Sequence, residues 1–316
     1  MAGLVRLPGD SRLSSGDRGS ARPDASNSRL VSPQSTGPIA NTVDWSQLAT
    51  ITRECPRLRV PERFRCSRQH REEPSVANFQ AQTRPCNDLL AALPAANLAE
   101  LLPKLSRVDL PRRHSLYVTD QPIEAVFFLE AGMVSLVRQL DDGVQAEVGI
   151  IGREGMLGIP LLHGVETSFT NCYMQLPGSA LQMTAAAFRQ EMRSNTALRA
   201  LLLRYGEAQS DQVSQTAACN GRHGLEQRLA RWPLMAHDRA DNDELPLTQE
   251  FIATMLGVHR PSISLMAGTL QRAGLIRYAG GLITIIDRPN LEASACECYG
   301  AVRRRFERVM GITPAP

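Results

Sequence analysis

Residues Leu247 to Ala273 read LTQEFIATMLGVHRPSISLMAGTLQRA, and their spacing predicts two short helices joined by a tight turn. Thr248 can cap the first helix, with Glu250 in its opening turn and apolar Phe251, Ile252, Met255 and Leu256 following. Ala253 is small where a second helix has to cross closely. Gly257 supplies the backbone freedom of the turn, and Val258 drops between the helices. Ile263, Met266 and Leu270 recur at spacings of three and four, which gives the second helix one apolar face. His259, Arg260, Ser262 and Ser264 occupy its amino-terminal end instead. Polar side chains placed there are what a helix-turn-helix presents to the DNA major groove.

Two helices around a glycine turn also make an αα-hairpin with no nucleic acid involved, so the downstream sequence has to separate the readings. Gln271 to Asp287 runs QRAGLIRYAGGLITIID. Gly274 ends the helix, two β-branched strands follow, and Gly280-Gly281 forms the hairpin between them. A helix-turn-helix followed by a β-hairpin is a winged helix.

The 316 residues leave room for two domains and a tail, and 43% apolar residues support real cores. No run approaches the roughly 18 apolar residues of a membrane span. The first residues lack the continuous apolar core of a secretory signal, so a cytoplasmic location without membrane association is expected. Seven irregularly spaced cysteines suit a reducing compartment rather than a disulfide framework. Net charge is only +3, but residues 1–86 carry 13 Arg against 8 acids and residues 220–316 carry 12 Arg against 10. Residues 87–219 carry 10 basic side chains against 14 acidic ones. The ends therefore attract phosphate more than the middle does.

Residues 1–85 are rich in Arg, Ser, Pro and Gly and hold no period, which predicts a disordered extension. Cys55, Cys66 and Cys86 are too loosely spaced for a metal signature. From Asn87 two short amphipathic helices precede strand-like runs at 108–110, 115–118, 125–130, 133–140, 145–151, 169–176 and 180–183. Turn signals separate them at Ala131-Gly132, Asp141-Asp142-Gly143 and Pro177-Gly178. Many short strands with glycine turns predict a small antiparallel barrel or jelly roll, a shape that commonly holds one small ligand.

A long helix is expected from about Ala185 to Cys219. Leu198, Leu202, Tyr205, Gln209, Gln212 and Thr216 recur along it at spacings of four and three. That is the seam of a two-stranded coiled coil, although a helix packed on its own barrel has the same period. A break at Asn220-Gly221 then precedes a helix from His223 that Pro233 should kink or end. Asp238 to Glu244 reads as a loop, and a last helix after Asp287 carries Cys296, Cys298 and Arg303 to Arg305.

This order resembles the Crp/Fnr family of bacterial transcription regulators. The resemblance is carried by Phe127-Phe-Leu-Glu-Ala-Gly-Met-Val-Ser135, by Gly149-Ile-Ile-Gly-Arg-Glu-Gly-Met-Leu-Gly158 and by the helix-turn-helix. Cys219-Asn220, His223, Arg228-Leu-Ala-Arg-Trp232 and Cys296-Glu-Cys-Tyr299 look like a branch lacking the usual cyclic-nucleotide ligands. It implies an α+β fold with a cyclic-nucleotide-binding-like β-roll, a long dimerisation helix and a C-terminal winged helix-turn-helix. The corresponding division is 1–85 extension, 86–187 β-roll, 188–220 dimerisation helix, 221–290 DNA-binding domain and 291–316 C-terminal helix and tail.

The implied function is sequence-specific DNA binding as a homodimer on a two-fold symmetric operator. RNA polymerase and an unidentified small-molecule signal are further implied partners, and no cofactor is implied. Arg260 looks like the family's guanine-reading Arg, able to donate a bidentate pair worth ~1–3 kcal/mol of discrimination. Thr248, Gln249, His259 and Ser262 stand where the family contacts phosphates, and Ser264 lies on the same exposed face. Pro261 and Leu265 depart from the pattern, and Leu265 can either meet a thymine methyl or pack.

The ligand-pocket candidates are Gly152, Arg153, Glu154, Met156 and Ser168. Met156 stands where cyclic-nucleotide members have a Glu that grips the ribose. Ser168 and its neighbours take the place of the phosphate-binding Arg. A buried phosphate without a cation would be left unpaired, so cAMP is not expected to bind in the family manner. An alternative regulator would use Cys296 and Cys298 as a thiol or redox pair, although two cysteines supply only half a tetrahedral zinc site. An enzyme is not expected, because His114, His163 and Cys172 share no catalytic spacing with a carboxylate.

Overall fold

The computed structural model describes residues 84–240 and 243–311. The expected extension therefore falls outside the described residues, apart from its last two positions, and so do Cys55 and Cys66. Two short helices open the chain, α1 (Asp88–Ala91) and α2 (Ala95–Leu101). Asn87 ties α1 to two distant backbone segments. Its side-chain oxygen accepts from Leu90 N, and its amide nitrogen donates to the carbonyls of Leu129, Arg153 and Gly155.

A six-stranded antiparallel sheet then curls on itself. β1 (Ser106–Leu110), β6 (Asn171–Thr184), β3 (Ala125–Gln139) and β4 (Gln145–Ile151) lie in that order, with β2 (Ser115–Tyr117) on β6 and β5 (Met156–Leu157) on β3. The interior is filled by Phe128, Leu129, Met156, Met174 and Leu181, all fully or almost fully buried. α3 (Ile159–Leu162) follows β5.

The turn signals divide the sheet into too many pieces. Ala131-Gly132 and Pro177-Gly178 are not turns between strands. They are facing irregularities inside β3 and β6, which run on through them. Gly132 takes φ +83°, and a Cβ on Gly178 would sit 1.9 Å from the Ala131 carbonyl oxygen. The glycines let two backbones touch where both long strands bend.

The expected long helix is also two helices. Thr184 caps α4 (Ala185–Ser194), and Asn195 caps α5 (Thr196–Arg222) by accepting from Leu198 N at 3.0 Å. Asparagine offers the backbone a side-chain partner, so the chain turns where apolar periodicity alone would continue it. α5 runs past Asn220-Gly221 and stops at His223. α6 (Leu225–His237) continues through Pro233, so the proline does not end the helix.

Beyond α6 the segment expected to be a loop ends in a third strand. β7 (Glu244–Pro246) pairs with β9 (Leu282–Ile285), which pairs with β8 (Ile276–Ala279). α7 (Gln249–Leu256) and α8 (Arg260–Arg272) lie between β7 and β8. α9 (Arg288–Ser294) and α10 (Cys298–Met310) complete the described chain. Two main cores result. One fills the roll and reaches α4, α5 and the end of α10, and the other joins α6 to α9 with one face of the roll through Met133, Val137, Ile150 and Leu176.

The stripe expected to be a dimer seam faces inward within this chain. Leu198, Leu202, Tyr205 and Gln212 are buried, Tyr205 donates to the Met156 carbonyl, and Gln212 Oε1 accepts from Ile150 N at 2.9 Å. Gln209 and Thr216 are half-buried. The period is real but its partner is different, because a helix on its own roll shows the same spacing. The exposed stripe of α5 is Leu203, Glu207, Ser210, Ser214, Ala217 and Gly221, again at spacings of four and three.

Candidate nucleic-acid interface and cysteine cluster

The helix-turn-helix is built as its residues require. Thr248 accepts from Phe251 N at 3.2 Å to cap α7, and Gly257 ends it at φ +63°. α8 opens at His259, with Pro261 in the first turn where amides have no helical partner. Ile263, Ala267 and Leu270 face inward against Ile252, Ala253, Met255 and Leu256. Ala267 holds the place expected of Met266, which is only half-buried. Gly280 and Gly281 take φ +59° and +78° and turn β8 into β9, as a tight primed hairpin demands.

The outward face carries the expected side chains. His259, Arg260, Ser264 and Thr248 are exposed, with Ser262 and Gln249 half-buried. Arg260 Nε lies 3.8 Å from Glu250 Oε2, and the two side chains are 64% and 75% exposed. An ion pair that long and open commits the guanidinium to nothing. Ser264 Oγ lies within hydrogen-bond reach of both the Gln249 side-chain oxygen and the Arg260 carbonyl, and its single proton serves one or the other. Leu265 is 62% exposed, so it is not packing. Arg277 lies exposed on β8.

The roll candidates are occupied differently. Met156 is fully buried and pairs with Phe128 across the sheet. Ser168 is buried and donates to the Thr170 carbonyl at 2.6 Å. Gly152 donates its N–H to Glu154 Oε1. Arg239 Nε and Nη2 reach the same Glu154 oxygen at 2.8 and 2.5 Å. Arg153 and Glu154 line a cavity of about 70 Å³ with Arg239, Asp238 and Tyr299, too small for a nucleotide.

A second contact ties α6 to the roll. Glu147 on β4 is buried, and it accepts from Trp232 Nε1 and Ser135 Oγ, each at 2.6 Å. Burial pushes its carboxyl up to about 7, against the pull of those hydrogen bonds and the charges of Arg231 and Arg239. Glu147, Glu154, Trp232 and Arg239 are not legible as partners in the sequence, because nothing local marks a polar contact between distant segments.

The cysteines gather at the end of α5. Cys296 and Cys298 meet Cys219 and His223, and the four ligand atoms all lie within 4.8 Å of one another. The Cys219 and Cys296 sulfurs are 3.5 Å apart, and Cys298 Sγ is 3.4 Å from His223 Nδ1. The sequence shows the Cys-x-Cys pair without its other half. Cys219 near the end of α5 and His223 as its C-cap stand four apart, a spacing that brings them to one side of the helix end, and that is the available signal.

The family model of a Crp-like helix-turn-helix domain matches residues 227–294. A CRP-like cAMP-activated global transcriptional regulator of Mycobacterium tuberculosis is 24% identical over 207 residues, covering 63% of this chain and 92% of that protein. The transcriptional regulatory protein btr of Bordetella pertussis is 27% identical over 217 residues, covering 62% and 85%. Among solved structures, a Crp/Fnr-family regulator from Eubacterium rectale superposes with TM-score 0.55 at 18% identity, over 66% of this chain and 97% of that one. FixK2 from Bradyrhizobium japonicum gives TM-score 0.53 at 16% identity, over 61% and 98%. The likeness in sequence and the likeness in fold thus agree.

Proposed function

We propose, for a chain that belongs to the Crp/Fnr family of transcription regulators, that it binds a two-fold symmetric operator as a homodimer. α8 enters the major groove. The observation that carries this reading is the division of α8 into a buried stripe and an exposed amino-terminal end bearing Arg260. Arg260 reads guanine, Thr248, Gln249, His259 and Ser262 contact phosphate, Ser264 joins them, and Leu265 offers an apolar contact to a thymine methyl.

The domain division follows the chain. A β-roll over 86–187, a dimerisation helix over 188–220 and a DNA-binding domain over 221–290 act in turn. The dimer forms through the free stripe of α5 from Leu203 to Gly221. Its small residues suit close helix approach, and Leu203, 47% exposed, supplies an apolar anchor.

The roll does not take cAMP in the family manner. Met156 fills the interior, Ser168 is internally bonded, and Glu154 is held by Arg239. The Mycobacterium relative is described as cAMP-activated, which makes the contrast testable. Calorimetric titration of the full chain with cAMP should give no saturable heat, and DNA binding should not change with cAMP. Selection of random duplexes should return a symmetric consensus. Saturable cAMP binding would overturn the first statement, and absence of any consensus the second.

A further inference from the structure

We propose that Cys219, His223, Cys296 and Cys298 form a closed, structural zinc site that clamps the end of α5 to the segment joining α9 and α10. Two pairs of ligands come from distant parts of the chain. Cys219 sits in the last turn of α5 and His223 is the residue that caps it, its N–H still donating to the Cys219 carbonyl, which keeps the two side by side. Cys296 precedes α10 and Cys298 opens it. The three cysteines are 1%, 3% and 1% exposed and form a cluster of their own.

Two of the six distances between ligand atoms are close to those around a single tetrahedral ion. Zn–S bonds of about 2.3 Å and Zn–N bonds of about 2.0 Å place ligand atoms roughly 3.5–3.8 Å apart along the edges of a tetrahedron. The Cys219–Cys296 and Cys298–His223 edges are 3.5 and 3.4 Å, and every other edge is within 4.8 Å. Small side-chain shifts complete the geometry. A multi-iron cluster would hold its ligands on different irons and spread them further. Thiolate and imidazole together exclude calcium and magnesium, which take oxygen. Four protein ligands with no open position make the site structural rather than catalytic.

The surroundings are built for it. His223 presents Nδ1 to Cys298, while its Nε2 lies 3.2 Å from Glu297 Oε1. A carboxylate on the remote nitrogen fixes the ring and the tautomer of a metal-binding histidine. Gln215 Nε2 donates to Cys298 Sγ at 3.0 Å. Arg231 is 6% exposed, its Nε has no hydrogen-bond partner, and its charge acts on Cys219. Three thiolates, a neutral imidazole and Zn²⁺ carry a net charge of −1, which a buried guanidinium balances. Binding takes Zn²⁺ from solution and releases the three thiol protons to solvent, with no change of oxidation state.

The site stands where α5 hands the chain to α6 and so to the helix-turn-helix. Metal there fixes the α5–α6 corner against the C-terminal segment, which itself packs along α5 through the Arg305–Asp211 pair at 2.7 Å. This inference is independent of the DNA reading.

The experiment is elemental analysis of the full chain, purified reduced and without chelators, followed by cobalt titration of the stripped protein. About one zinc per chain is expected, and cobalt should give tetrahedral ligand-field bands with thiolate charge transfer. Cys298→Ser should weaken metal binding at least tenfold, and Glu297→Ala about ten- to a hundredfold. Cys172→Ser, a buried thiol in the roll, should leave stoichiometry unchanged. His223→Cys keeps four ligands and should retain a tetrahedral cobalt spectrum even if Cys298→Ser does not fold. Metal-free protein that gives no cobalt spectrum would overturn the proposal. So would an octahedral spectrum, iron in place of zinc, or a Cys219–Cys296 disulfide in the native chain, which would assign the cluster to thiol redox chemistry.

Discussion

The indole N–H of Trp232 on α6 donates to Glu147 Oε1 on β4 at 2.6 Å, joining the helix that leads into the DNA-binding module to the roll. Glu147 is buried, and its carboxyl is pushed up to about 7 by that burial. The group is therefore protonated in the folded chain at pH values where the unfolded chain has already lost the proton. A raised folded value means stability that is full below the unfolded value near 4.5 and is lost as pH rises through about 7. Between pH 5.5 and 8.5 the wild type should lose on the order of 2 kcal/mol from this group. Glu147→Gln can still accept from Trp232 at its amide oxygen, with Ser135 Oγ turned to accept from its NH2, and should flatten that slope. Urea unfolding of both proteins at the two pH values measures it, and equal slopes would show that Glu147 does not titrate between them.

Glu154 and Arg239 make the other tie, at 2.5 Å with both side chains largely buried. Arg239→Ala leaves a carboxylate without its partner and should cost on the order of 3 kcal/mol. Glu154→Gln should cost less, and the double variant less than the sum of the two singles. Chemical denaturation of the four proteins supplies the cycle. Additive effects would show that the two residues are not coupled.

The backbone crossing at Gly178 allows no side chain. Gly178→Ala has to push Ala131 out of β3, and a loss of roughly 3 kcal/mol or more is expected. Gly143, at a hairpin tip where a Cβ would meet nothing within 4 Å among the described residues beyond its chain neighbours, should take alanine at the smaller cost of its positive φ alone. Thermal melts of the two variants test the contrast.

Much of this fold is legible because its signals are local. Thr248, Gly257 and the Ile263–Leu270 spacing specify α7, the turn and α8 with no outside help. Gly280-Gly281 does the same for the wing. The errors fall where the sequence is silent about partners. The stripe through Leu198, Leu202, Tyr205 and Gln212 announces a covered face without saying what covers it, and here it is the chain's own roll. Gly132 and Gly178 look like two turns until they are seen to face each other. The same holds for the site. Arg260 can be placed from its position on one helix, whereas Cys219 and His223 need residues 296–298 folded back upon them.

Arg260→Ala should lose base preference while keeping salt-sensitive, sequence-independent binding. The expected loss at the contacted base pair is ~1–3 kcal/mol of discrimination, with little change in the salt slope. Competition against random duplex at several salt concentrations reads both quantities. An equal loss on specific and random DNA would make Arg260 a phosphate contact.

Operator binding by a homodimer is tested most directly by selection of random duplex DNA by the full chain, followed by sequencing of the retained pool. A two-fold symmetric consensus with half-sites about one helical turn apart is expected. A pool retained without any consensus, or one carrying a lone asymmetric half-site, would contradict a homodimer reading its operator through α8.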